Sequence, residues 1–155
     1  MLYLVLKAVH VLAVMLWVGG MAFAHYFLRP SLATLAPPQR LTLMRDVLRR
    51  FFAAVLVATG LVVASGLWMI GRVAKQVVQG GGSFSWPLDW IVMTAVGLLM
   101  VAIFVVIRLR FHPRLSRAVD ASDWPAAGAV LVDIRRWVGV NLVLGVALTF
   151  FVIVH

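Results

Sequence analysis

Four apolar stretches dominate this chain and leave it little choice of fold. They cover residues 2–28, 51–71, 87–107 and 137–155. A helix needs roughly 20 apolar residues to cross a hydrocarbon core of about 30 Å, and each stretch approaches or exceeds that length. Backbone N–H and C=O groups find no partners in lipid, so a spanning segment of this kind is helical. The remaining sequence offers no alternative, because 64% of residues are hydrophobic and only 12% are charged. Soluble domains carry about 45–50% apolar and about 25% charged residues, so no water-compatible surface can be assembled here. The expected fold is all-α: a single four-helix transmembrane domain over residues 1–155, a bundle with antiparallel neighbours. The first stretch exceeds a signal-peptide core and has no basic segment before it, so it is expected to stay in the mature protein.

The basic residues orient the bundle. Arg29, Arg40, Arg45, Arg49 and Arg50 follow the first span, and Arg108, Arg110, Arg114, Arg117, Arg135 and Arg136 follow the third. Only Lys7, Arg72 and Lys75 belong to the other side. Eleven against three predicts, under the positive-inside rule, that both termini and the Gly80-Gly81-Gly82 loop face the periplasm of a bacterial inner membrane. Trp68, Trp86 and Trp90 then fall at the outer interface, where indoles prefer to lie. The same placement argues that the net charge of +9 reflects topology and anionic-lipid contact and not nucleic-acid binding. Residues 39–50, after Pro37-Pro38, read as an extension of the second helix near the headgroups. Ser122-Asp123-Trp124-Pro125 has the cap-then-proline pattern of a helix start, so the fourth helix is expected to begin outside the membrane.

Any chemistry must come from polar or soft-ligand side chains inside the spans, since burying them in lipid is costly. Lys7, His10, Val14, Trp17, Met21 and Leu28 fall along one stripe of the first helix, with His25 at its edge. That stripe is expected to face the other helices. Counting inward from the span centres puts His10, Met69, Met93 and His155 within one slab about 5–6 Å thick in the outer leaflet. Imidazole and thioether suit Cu(I), and paired imidazoles suit haem iron. The bland alternatives are core packing for the methionines and a hydrogen bond from His10 to a backbone carbonyl or Thr94. Lys7 is expected to snorkel outward or to pair with Asp89. His25 and His112 define a second polar level at the inner face, as cofactor ligands or as interfacial residues reaching water. Asn141 reads as an interhelical hydrogen-bond former, and Gly19, Gly20, Gly60, Gly66, Gly97, Gly139 and Gly145 as sites of close helix approach. Cysteine is absent, which excludes disulfides and thiolate sites. No carboxylate pair, nucleophile triad, phosphate loop or His-Glu-x-x-His motif appears, so no catalytic residues are assigned.

Leu6-Lys7-Ala8-Val9-His10-Val11-Leu12-Ala13, with Trp17-Val18-Gly19-Gly20-Met21-Ala22-Phe23, resembles the first helix of the CopD-like copper-resistance membrane family. The likeness continues in Leu28-Arg29-Pro30, Arg50-Phe51-Phe52 and Ser65-Gly66-Leu67-Trp68. It extends to Ile134-Arg135-Arg136-Trp137-Val138-Gly139-Val140-Asn141-Leu142-Val143-Leu144-Gly145 near the end. This resemblance implies an inner-membrane protein of copper uptake or homeostasis, with His10, Met69, Met93 and His155 as metal contacts. The first-helix pattern is also similar to HemJ-type haem-binding membrane proteins, which implies b-type haem on some of His10, His155, His25 and His112. The lysine that the HemJ pattern expects within the third helix is missing before Arg108.

Three functional readings stand open on the sequence. The leading one is copper binding or permeation, the second a b-haem redox protein, and the third a non-catalytic membrane anchor or assembly subunit. The partners these imply are the lipid bilayer, copper or haem, a second copy of the chain, and a periplasmic copper carrier.

Overall fold

The computed structural model describes residues 1–154 and, among them, contains only helices and their connections. α1 (Leu2–Phe23) passes through a π-helical turn, Ala24–Leu28, into a short α2 (Arg29–Ser31), forming one 30-residue rod. α3 (Pro37–Gln79) is a single helix of 43 residues, about 65 Å long at 1.5 Å per residue. α4 (Leu88–Val106) continues through a second π-helical turn, Ile107–Phe111, into α5 (His112–Asp120), and α6 (Trp124–Val154) closes the bundle. Four of these rods are long and apolar enough to cross a membrane. The helices overrun the four apolar stretches, and the overrun lies chiefly at the arginine-rich end.

The ends form where the sequence provides stops and starts. α3 opens with Pro37 and Pro38 in its first turn, where a missing N–H costs nothing. Gly81 takes a left-handed φ of 82° beyond the end of α3, a conformation that glycine adopts without a Cβ penalty. Asp123 caps α6: its Oδ1 accepts from the Ala126 N–H at 3.0 Å, satisfying one free donor of the first turn. Ser122, beside it, lies at φ 56° in the turn.

Crossing pairs fix the arrangement. On α1 and α3, His10 meets Ser65 while Gly20 meets Phe51, so the two run antiparallel. On α1 and α6, Val18 meets Gly145 while His25 meets Gly139, again antiparallel. α4 packs chiefly on α6, which it joins through Asn141, whose Nδ2 donates to the Met100 carbonyl at 3.3 Å. The middle of the bundle is held by Trp17, Phe104 and Phe52, with successive ring centroids 6.0 Å apart in edge-to-face contact. Such aromatic pairs add about 0.5–1.5 kcal/mol beyond the area they bury.

Residues 39–50 are a straight continuation of α3. Their apolar face, Leu41, Met44 and Leu48, is buried with Leu115 and Val119 of α5 and Ala127 and Ile134 of α6. This end is therefore a packed helical bundle rather than a set of loops. Arg45 ties it together by an ion pair to Asp120 at 2.6 Å and a second to its neighbour Asp46 at 3.1 Å. At the other end, Trp68 is stacked under the Arg72 guanidinium at 5.3 Å. Phe84 contacts both Trp86 and Trp90 there, giving this end an aromatic girdle of the kind found at membrane interfaces.

Candidate functional site

His10 sits in α1 with its stripe turned toward the bundle: Ala13, Trp17 and Met21 are buried, and His10, Val14 and His25 are half-buried. Lys7 departs from the expected stripe. It is exposed, and among the described residues ion pairs form only at Arg45, so the anticipated Lys7–Asp89 pair is not made. One turn of helix separates the two residues, which is enough for the ammonium to turn outward while the imidazole turns in.

The partner of His10 is Ser65 on α3, with Nδ1 and Oγ 3.0 Å apart. Ser65 is itself buried and donates its one hydroxyl proton to the Leu61 carbonyl, with Val62 O at 3.2 Å as a second acceptor. A serine whose proton is committed to its own helix backbone can only accept from the histidine. This arrangement favours the Nδ1–H tautomer of His10, with the lone pair on Nε2. A metal-binding histidine has this same arrangement, in which one ring nitrogen donates to a fixed acceptor and the other ligates. Gly66, the next residue of α3, forms a wall of the same seat: a Cβ there would stand 3.4 Å from His10 Cε1.

Of the partners expected from the sequence, a backbone carbonyl is met in part, since His10 also hydrogen-bonds the Val62 backbone, whereas Ser65 takes the place of Thr94. The signal for it lies in the Ser65-Gly66 pair itself, a hydroxyl followed by a residue with no side chain within a span. Met69 follows Ser65 by four residues and occupies the same face of α3, about 6 Å further along. Met93 is half-buried on α4, a helix that packs chiefly on α6. Among the described residues, no three His, Cys, Asp or Glu side chains cluster as a metal cage. His155 lies outside the described residues.

The two histidines at the arginine-rich end have different neighbours. His25 belongs to the π-helical turn after α1, packs edge-on against Tyr26 at 4.9 Å, and faces Gly139 of α6. His112 opens α5, is buried, and lies edge-on to Phe52 at 5.6 Å. Its Nε2 has no hydrogen-bond partner among the described residues, and Arg108, Arg45 and Arg49 surround it. Metal or haem at this level would meet several guanidinium charges.

A family model described as copper resistance protein D, CopD, matches residues 45–155. The chain belongs to the CopD family. The matched region of this CopD protein begins inside α3 and takes in Ser65, Gly66, Met69, α4, α5 and α6, whereas His10 on α1 precedes it. Comparison with curated proteins and with solved structures finds no match. Family and helices together make this CopD protein a multi-pass, copper-resistance-related membrane protein.

Proposed function

We propose that this CopD-family protein binds copper or passes it across the bacterial inner membrane, with His10 as the principal contact of the cargo ion. The observation that carries this reading is the hydrogen bond from His10 Nδ1 to Ser65, which leaves Nε2 as a fixed neutral donor inside a membrane span. Cu(I) accepts imidazole and thioether ligands in low coordination numbers, so it does not require a cage of three or four protonatable groups. Met69, on the Ser65 face of α3, is the thioether best placed by helix register to follow His10 along a transfer path. Met93 and His155 are secondary contacts in this reading. Copper enters here as substrate: the chain's own contribution is a low-dielectric path with one oriented nitrogen and soft sulfur neighbours.

The test is a Cu(I) competition titration on detergent-purified protein, accompanied by an optical spectrum. Wild type is expected to bind Cu(I), and folded His10→Ala to lose affinity by about tenfold or more, the range seen when an oriented ligand system is disturbed. Met69→Leu should weaken binding less. A folded His10→Ala protein with wild-type affinity would remove His10 from the path. A Soret band in the wild-type spectrum would reassign the imidazole to haem.

A further inference from the structure

Three helices bring three arginines to one cavity at the arginine-rich end. Arg29 comes from α2, Arg40 from the first turn of α3 and Arg135 from α6, and together they line a cavity of about 400 Å³. No carboxylate lines it, and among the described residues ion pairs form only at Arg45. Arg29 feels the charges of both Arg135 and Arg40. Three like charges lining one cavity without a counter-charge repel one another, and an anion that joins them lowers that cost. The rest of the lining is apolar and includes Leu32, Leu41, Met44 and Leu131.

The cavity also has a direction. A second, narrower cleft shares Arg29, Met44, Leu131 and Arg135 with it and continues past Leu48, Ile134 and Val138 to His25. Leu48, Ile134 and Val138 are buried core side chains, and this cleft holds only about 40 Å³, so it extends the apolar wall without itself admitting a chain. A free anion would use only the charged side of the larger cavity, whereas an amphiphile would also cover its apolar lining at Ala33, Leu131 and Val132.

We propose that this cavity is a binding site for an anionic phospholipid, with the phosphate held by Arg29, Arg40 and Arg135 and the start of an acyl chain laid over Ala33, Leu131 and Val132 of the same cavity. Guanidinium forks match phosphate oxygens in bidentate geometry, and basic pockets between helices near a membrane face take lipid headgroups in this way. The bound lipid would relieve the repulsion among the three helices and so clamp α2, α3 and α6 at that end. The proposal is independent of copper handling.

The experiment is native mass spectrometry of the full chain titrated with phosphatidylglycerol or phosphatidylcholine in neutral detergent, with inorganic phosphate as a separate arm. Wild type is expected to retain phosphatidylglycerol about tenfold or more in preference to phosphatidylcholine, each arginine near the headgroup adding to the attraction. The triple variant Arg29→Gln/Arg40→Gln/Arg135→Gln should lose that preference. The control triple Arg110→Gln/Arg114→Gln/Arg117→Gln removes the same charge from exposed positions of the π-helical turn and α5, and should keep it. Equal loss in both triples would reduce the effect to net charge and overturn the site. Absence of any preference in wild type would do the same, and displacement of the lipid by millimolar inorganic phosphate would replace it with a free-anion site. A second variant, Val132→Trp, at an exposed position of the cavity lining, should crowd the acyl contact and weaken phosphatidylglycerol retention with all three arginines intact; unchanged retention would disprove that contact.

Discussion

Gly66 of α3 and His10 of α1 are in a relationship of seat and occupant: a Cβ on the glycine would lie 3.4 Å from the imidazole Cε1. That distance is ordinary contact for a methyl group and leaves no space for anything larger. Gly66→Ala is therefore expected to keep near-wild-type Cu(I) affinity, while Gly66→Leu should displace the ring and lower affinity about as much as His10→Ala. Titration of both variants checks this, and equal affinities in the two would show that the glycine is not what positions His10.

Ser65→Ala removes the acceptor of the His10 ring proton. A buried donor left without a partner costs about 1–3 kcal/mol, so the variant should melt lower in detergent and its imidazole should lose its fixed orientation. Imidazole ¹⁵N shifts give the more direct readout. Wild type should show His10 protonated at Nδ1 and bare at Nε2, and Ser65→Ala should show a mixture of tautomers. A wild-type ring protonated at Nε2 would contradict the donor assignment.

The glycines of the bundle should not be equally sensitive. The nearest atoms to a side chain at Gly20 all belong to the Phe51 ring, which is half-buried and able to turn. A side chain at Gly145 is caught between Val18 Cγ2 at 2.8 Å and Met100 Cε at 3.0 Å, and a β-branched valine has little rotamer freedom to yield. Both leucine variants should reduce detergent-stable protein, and Gly145→Leu is expected to do so more severely. Trp17→Ala, which opens a cavity beside Phe104, belongs with them as a folding lesion of about 3–5 kcal/mol. Thermal melts of the three check the order.

Asn141 is buried with Nδ2 donating to Met100 O and Oδ1 unpaired among the described residues. Replacing it by leucine removes both a modest interhelical bond and an unsatisfied acceptor, so the two effects oppose each other. The expected change in stability is within about 1 kcal/mol in either direction. Asn141→Asp instead puts a carboxylate at that depth and should be strongly destabilising. Comparable losses in the two would show that the hydrogen bond, and not burial, governs the position.

Reporter fusions decide the orientation expected from the eleven-to-three distribution of basic residues. A phosphatase fused after His155 should be active and a fluorescent protein there dark, if that end is periplasmic. The opposite pattern would put the His10 level on the cytoplasmic side and reverse the direction of any copper path.

The sequence by itself determined the four spans, the grouping of arginines at one end, the capped start of α6 and the inward stripe from His10 to Met21. Each of these is written within one helix, as length, charge or a 3.6-residue period. The tertiary structure decided which hydroxyl meets His10, that Lys7 turns away from it, that His25 and His112 face different helices, and that Arg29, Arg40 and Arg135 converge. Residues 10 and 65, or 29, 40 and 135, carry no mark of one another in the linear pattern. The physical reason is the solvent. In water an apolar face declares where the core is, but lipid is as apolar as the bundle interior, so hydrophobicity does not fix how each helix is rotated or paired. Close steric fits at Gly20, Gly66 and Gly145, with the His10–Ser65 and Asn141–Met100 hydrogen bonds, supply that choice, and these exist only once the helices have come together.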